Sequence, residues 1–346
     1  MGSRLPSLLA RVLRGGRTES AHRGSVAVAD EDGRAVASCG DAALPIYLRS
    51  AAKPFQAMPL LAAGGERAFR LGDDEIALMC ASHGGEPRHV RVARRILQRG
   101  GFRVSDLRCG AHLPMHEPSA RALLGRGEKP TALHNNCSGK HGGLLLACRL
   151  LGFDPRGYEE ASHPLQAILL SRVSEFTGVS PASIGLAVDG CSLPVFFLPL
   201  SGLAAAYARL LSARREGPTP DAIRRRIVRA MTASPGMVAG RERFTTDLLE
   251  AGGGAWIGKE GAEGIYAIGL RAARKGERAL GIAYKIEDGS SRARDAVALQ
   301  ILEQLGRLSR AARSRLEPWR RSVLRSVRGD EVGAVLPQVL LEPDGR

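Results

Sequence analysis

Ser50-Ala51-Ala52-Lys53, followed by Pro54, is the stretch on which the reading of this chain turns. Serine and lysine three residues apart share one face of a helix and lie within reach of each other. Pro54 lacks an N–H and is tolerated near a helix start, so the spacing predicts a helix opening at about Ser50. The positive end of a helix dipole disfavours a protonated lysine and favours a serine alkoxide, the two conditions a serine–lysine dyad requires. No other S-x-x-K occurs in the chain. Taken alone, four residues are equally well explained by a surface Ser and Lys meeting by chance.

The composition makes that lysine informative. The 346 residues include 50 Lys and Arg against 35 Asp and Glu, a formal charge of +15, yet only Lys53, Lys129, Lys140, Lys259, Lys275 and Lys285 are lysine. Arginine cannot give up its proton in a protein and lysine can, so a lysine retained against such a bias is a candidate base. Lys129 and Lys275 sit in polar, turn-like stretches and need no such explanation. The arginines are spread over all segments. Their densest cluster, 307–328, has the amphipathic spacing of a solvated helix face, with Leu308, Leu316, Val323 and Leu324 inward. The charge therefore reads as composition, and no nucleic-acid partner is expected. With 44% hydrophobic residues and no apolar run long enough for a bilayer, a soluble globular protein without a membrane partner is expected. No signal peptide is apparent, because Arg11 breaks the Leu-rich N-terminal patch and no cleavage site follows. Six cysteines without a C-x-x-C pair fit reduced thiols in a cytoplasmic protein.

Four further polar clusters lie downstream. Ser82-His83-Gly84-Gly85-Glu86 follows an apolar helical pattern and alone is an ordinary glycine-terminated helix end. Asn135 and Asn136, the only two asparagines, open Asn136-Cys137-Ser138-Gly139-Lys140-His141-Gly142, which feeds an apolar helix. Amides, a thiol, a hydroxyl, an amine and an imidazole packed this densely at a helix start suit an oxyanion site. A phosphate loop is the alternative, but the G-x-x-x-x-G-K-[ST] spacing is absent. Asp189-Gly190-Cys191-Ser192 ends a short apolar run at 184–188, expected to be a buried strand. Lys259-Glu260-Gly261 leads into a second strand pattern and is otherwise a polar turn.

Strand signals sit at the two ends of the chain. Residues 25–30 and 34–39 alternate around Glu31-Asp32-Gly33, and 264–270 and 279–286 flank Arg274-Lys275-Gly276, two hairpins by pattern and turn. Helical periodicity fills the middle, at 74–79, 90–99, 142–151, 163–176, 203–215 and 221–232. A further helix is expected at 291–305, covering the sheet. The simplest packing is α/β, an antiparallel sheet built from both chain ends with an inserted helical lobe. In those terms 1–346 is a single catalytic unit, with an α/β lobe of 1–56 and 236–346 and a mainly helical lobe of 57–235.

Ser50-x-x-Lys53, Ser82-x-Gly84 and Lys259-x-Gly261 follow the order of the three boxes of the serine β-lactamase and penicillin-binding superfamily. No G-x-S-x-G elbow or Thr-Gly-Gly-Thr segment is present. Closer still, the chain resembles the rhizobial-type (thermolabile, class 3) L-asparaginases. The matching stretches are Arg14-Gly15-Gly16-Arg17-Thr18-Glu19-Ser20-Ala21-His22, Arg49 to Gln56, Ser82 to Glu86, Asn136 to Gly142, Asp189 to Pro194, Met237-Val238-Ala239-Gly240, Lys259 to Gly264 and Ala283 to Gly289.

The resemblance implies a serine β-lactamase-like fold, a homodimer, and hydrolysis of L-asparagine to L-aspartate and ammonia. Carried over by position, it implies two Ser–Lys pairs, Ser50 with Lys53 and Ser82 with Lys259. It also implies zinc beside the substrate, held by Cys137, Lys140 and Cys191 and tuning binding rather than supplying the nucleophile. Arg49 and Asp189 are the candidates for the substrate's α-carboxylate and α-ammonium, with Asn136 and His141 further candidates for substrate binding. The alternatives are hydrolysis of another small amide such as glutamine, and a basic zinc- or nucleic-acid-binding protein on an inactive scaffold. Intact Ser50, Lys53, Ser82 and Lys259 argue against the inactive scaffold.

Overall fold

The computed structural model describes residues 6–213 and 217–344. The chain divides into two units, Met1–Ala51 with Leu198–Ala213 and Ala251–Arg346, and Ala52–Phe197 with Arg214–Glu250.

The first unit is a sheet drawn from both ends of the sequence. Its strands run in the order Ser322–Arg325, Glu331–Pro337, Ser7–Arg14, Arg17–Asp30, Leu280–Ile286, Ile265–Leu270, Trp256–Glu260. Ala35–Cys39 also pairs with Arg17–Asp30, and Glu342–Pro343 with Ala35–Cys39. All these pairings are antiparallel. Both expected hairpins are present. The first turn is tightened by the Asp30 carboxylate, which accepts the N–H groups of Asp32 at 2.9 Å and Arg34 at 3.0 Å.

Trp256–Glu260 and Ile265–Leu270 are buried along their whole length. The helix Leu200–Leu211 packs against Ile265–Leu270, Leu280–Ile286 and Arg17–Asp30. Glycine permits that approach. Gly269 and Gly281 face each other across the strands, and a Cβ on Gly281 would overlap Ala204 O while one on Gly269 would stand 2.6 Å from Tyr207 O. This helix, expected in the helical lobe at 203–215, therefore belongs with the sheet. It ends at Leu211, and positions 214 and 215 lie outside the described residues. Arg294–Gln304 packs on Ile265–Leu270 and Glu331–Pro337, the cover expected for 291–305. The arginine-rich stretch is not one helix. Arg310–Arg320, which carries Pro318, buries Leu316, whereas Val323 and Leu324 lie half-buried on a strand opposite Ala334 and Gly333.

The second unit is mainly helical around Ser138–Leu151, in which residues 138–148 are all buried. Its glycines let neighbouring helices close on it. A Cβ on Gly139 would overlap Leu78 O of the helix Asp73–Met79, and one on Gly142 would lie 2.8 Å from Ile96 of the helix Pro87–Arg99. Pro164–Thr177 and Asp221–Ala233 form where expected. The 184–188 run is a strand, Gly185–Val188, but it is not buried: Leu186 is 47% and Val188 78% exposed. It is an edge strand hydrogen-bonded on one side only, so an apolar run here marks strand and not core. No helix among the described residues is long and apolar enough to cross a membrane.

Candidate active site

The Ser50 segment folds as successive short turns. Arg49–Ala52 is a 3-10 turn, Lys53–Gln56 and Met58–Ala62 are single helical turns, and Pro54 and Pro59 sit in the first turns where a missing N–H is tolerated. The 3-10 turn opens at Arg49, close to the expected Ser50, but the α-helical turn starts only at Lys53, and pieces this short carry little of the dipole expected from a long helix. Arg49 holds φ at +48°, a left-handed backbone that costs a non-glycine residue about 1–3 kcal/mol and gathers at functional sites.

The first unit carries Arg49, Ser50 and Lys259. Lys259 is fully buried on its strand, and its Nζ donates to Glu260 O at 2.7 Å. The Glu260 carboxylate faces Arg294 at 3.3 Å, and Arg294 also donates to Asp295 at 2.8 Å. The guanidinium is held well charged: burial works against it, and Asp295 and Glu260 more than compensate.

The second unit brings together Lys53, Ser82, Asn136, Cys137, Lys140, His141, Asp189 and Cys191. Lys53 is buried, and its Nζ donates to Ala81 O at 2.5 Å, Ser82 Oγ at 3.1 Å and Asn136 O at 3.4 Å. Ser82 lies beyond the end of its helix, buried. Its N–H donates to Val238 O at 3.0 Å and that of Gly84 to Ala239 O at 2.8 Å, so the serine is held as a strand-like edge and not as a helix cap.

His83 fixes this edge from beneath. Its Nδ1 accepts the Gly85 N–H at 3.2 Å, so the ring proton sits on Nε2, which donates to Ser138 Oγ at 2.9 Å; Ser138 then donates to Leu133 O at 3.1 Å. Complete burial, helped by nearby His89, pushes the His83 pKa well down, and the ring is neutral. The buried Glu86 carboxylate accepts the Arg241 N–H at 2.9 Å and an Arg88 N–H at 3.2 Å. Burial works to raise its pKa, but the Arg241 N–H, His89 and Arg88 outweigh it and bring the carboxyl below its ordinary value.

Asn136 enters through its backbone carbonyl, while Asn135 shapes the loop by accepting the Cys137 N–H at 2.8 Å and donating to Cys109 O at 2.7 Å. Behind it lie two buried thiols and an amine. Cys137 and Cys191 are hydrogen-bonded, and Lys140 Nζ donates to Cys191 Sγ at 3.0 Å. The Cys191 hydrogen bond, reinforced by Lys53 and Lys140, holds the Cys137 thiol well below its usual value despite burial, and the Cys191 thiol is correspondingly raised. Burial opposes the Lys140 charge, but the two sulfurs keep it protonated. No group of three His, Cys, Asp or Glu placed to hold a metal occurs among the described residues, so the Cys137, Lys140 and Cys191 set has two conventional ligands.

His141 is fully buried. Tyr158 OH accepts the Arg108 N–H at 3.0 Å and donates to His141 Nδ1 at 2.6 Å, which leaves the ring proton on Nε2, buried and without a hydrogen-bond partner among the described residues. Burial drives this imidazole well below its ordinary pKa. Asp189 sits at the end of Gly185–Val188, in a turn where its N–H donates to Leu193 O at 2.8 Å and Ser192 adopts φ +71°. Sequence reasoning assigned nothing to His83, Ser138 or Tyr158. His83 stood inside a quoted motif and could have been singled out as a buried ring between glycines, whereas Tyr158 left no local signal.

The family model described as L-asparaginase II matches residues 10–337, and the chain belongs to that family. No curated protein matches it. Similar solved structures include Mglu in its native form in the presence of 4.3 M NaCl, 19% identical, covering 83% of this chain and 61% of that one at a TM-score of 0.36. A probable glutaminase from Bacillus subtilis complexed with 6-diazo-5-oxo-L-norleucine is 12% identical, covering 82% of this chain and 84% of that one at 0.40. A Bacillus subtilis glutaminase in covalent complex with 5-oxo-L-norleucine is 13% identical, covering 83% and 89% at 0.39. The chain thus spans 61% of the length of the first of these proteins.

Proposed function

We propose that the chain hydrolyses the side-chain amide of L-asparagine to L-aspartate and ammonia through a lysine-served serine. Membership of the L-asparaginase II family supports the substrate class. The observation that carries the chemistry is the buried Lys53 Nζ, 3.1 Å from Ser82 Oγ, with Ser50 three residues before it in the chain.

In this reading Ser50 Oγ attacks the amide carbon and its proton passes to the Lys53 amine. The proton then travels through Ser82, with Lys259 in support, to the departing nitrogen, which leaves as ammonia. Water cleaves the acyl-serine by the reverse transfer and releases aspartate. A lysine suits the task because it can be neutral, which an arginine cannot. Arg49 would meet the α-carboxylate and Asp189 the α-ammonium. The unpartnered Nε2–H of His141 and the polar edge of Asn136 would complete the substrate's hydrogen bonds.

The donor chemistry at Cys137 and Cys191 suits a thiophilic divalent cation such as zinc, since one thiol is already drawn toward thiolate; Lys140 would join only after losing its proton. When bound there, zinc would order the wall behind the substrate. With a serine as the nucleophile, such a metal need not activate water. The family resemblance also carries a homodimer.

Ammonia release from a panel of amides tests the proposal. L-asparagine should turn over far faster than L-glutamine. Equal rates with both, or none with either, would sink it.

A further inference from the structure

The five arginines of the helix Pro87–Arg99 fall into two sets. Arg88 is bonded to Glu86, and Arg95 and Arg99 to Glu75. Arg91 and Arg94, exposed and one turn apart on the same face, have no acidic partner among the described residues. Both line a cleft of about 540 Å³ that also receives Lys129, Arg126 and Glu128. The Glu128 carboxylate is already taken by Arg126, at 2.7 and 3.2 Å, which leaves Arg91, Arg94 and Lys129 uncompensated. Lys129 is exposed and is one of six lysines in a chain with 50 basic residues.

The overall charge does not explain this concentration. A second cleft, of about 430 Å³, is lined by Arg320 and Arg321, and there Glu303 and Glu331 neutralise both. The cleft at Arg91 is also not purely polar, because Val90, Pro114 and Leu123 contribute to its lining. It therefore combines three free cations with an apolar surface in a volume within the range of small-molecule sites. Guanidinium forks match phosphate and carboxylate oxygens, and an ammonium adds a point charge.

We propose that this cleft binds a small organic oxyanion of nucleotide size, with two or more negative charges met by Arg91, Arg94 and Lys129 and an uncharged body against Val90 and Leu123. Phosphate and carboxylate ligands share this chemistry, and two titration arms separate them. Isothermal titration of the full chain at physiological salt with ATP, and separately with citrate, should show saturable binding of at least one, at one site per chain. Adenosine, which lacks the charge, should not bind. The double variant Arg91→Ala with Arg94→Ala should weaken the bound anion at least tenfold. Lys129→Glu, a separate surface change, should do the same if the double variant does not fold. Unchanged affinity in folded variants would move the binding to the +15 surface at large and overturn the proposal. Absence of saturable binding by both anions would also overturn it.

Discussion

Lys53→Arg keeps the positive charge and removes the ability to be neutral, and the structure sets what that substitution should do. Lys53 Nζ sits in a buried cage of three oxygens, Ala81 O at 2.5 Å, Ser82 Oγ at 3.1 Å and Asn136 O at 3.4 Å. A guanidinium can still donate to these acceptors but stays protonated at any usable pH, so under the proposed reaction Ser50 and Ser82 would lose their proton acceptor. General-base catalysis contributes about 10²–10⁴-fold, so kcat should fall by that factor, equivalent to about 3–5 kcal/mol of barrier. Lys53→Met should do similar damage to kcat for the same reason. Met also strands the buried carbonyl of Ala81, at about 1–3 kcal/mol, and the part-buried one of Asn136, so its melting temperature should drop more than that of Arg. The assay is steady-state ammonia release with L-asparagine, with thermal melts alongside to separate unfolding from lost chemistry. If Lys53 only held a carboxylate, Arg would rescue most of what Met loses and the deficit would appear in KM. Near-native kcat in a folded Arg variant would refute the reasoning and pass attention to Ser82 with Lys259.

Three other outcomes follow from the same geometry. Cys137→Ser should raise KM more than it lowers kcat, with any bound zinc lost by elemental analysis; loss of all turnover at saturating substrate would point the other way. Gly281→Ala should destabilise the fold by about 1–3 kcal/mol or more, since its Cβ would overlap Ala204 O, and a denaturant melt at native midpoint would contradict the helix–sheet contact. His89 is pushed down from its ordinary value to about 4, chiefly by burial. The unfolded chain binds that proton below about pH 6.5 while the fold resists until about 4, so stability should rise with pH across that window, by up to about 3 kcal/mol, and His89→Gln should flatten the rise.

Four of the sheet's nine strands were legible, because two hairpins are marked by local glycine-containing turns, as at Asp30 to Arg34, whereas Ser7–Arg14, Trp256–Glu260 and the strands after residue 321 were not read as strands. The helix Leu200–Leu211 was legible as a helix but not as part of the sheet unit. Its place depends on Gly269 and Gly281, some sixty residues and more downstream, which lack the side chains that would have kept it away. The start of Ser138–Leu151 was read four residues late because Ser138, Gly139 and His141 are weak helix formers, and their burial, which makes the segment helical here, is a tertiary fact. The 184–188 run shows the opposite failure: apolar composition marked the strand and misjudged its burial.

At the candidate site, the sequence singled out residues but not the contacts they make. S-x-x-K pointed Lys53 at Ser50 and gave no sign of the contacts its Nζ makes with Ala81 O, with Ser82 Oγ, 29 residues on in a segment held by Val238 and Ala239, and with Asn136 O. The scarcity of lysine and asparagine marked Lys53, Lys140, Lys259 and the Asn135–Asn136 loop, because a compositional bias leaves chemistry exposed where it cannot be followed. The supports under those residues, His83 on Ser138 and Tyr158 on His141, come from ordinary residue types at separations of 55 and 17 and leave no pattern to read.

The central claim is that a serine takes the acyl group. A diazo-ketone analogue of asparagine, which alkylates the nucleophile it meets, followed by peptide mapping of the intact protein, addresses it directly. The account predicts one adduct per chain, on the peptide carrying Ser50, blocked by L-asparagine and absent from Ser50→Ala. An adduct on Cys137, or unmodified serines in protein that the analogue has inactivated, would contradict it.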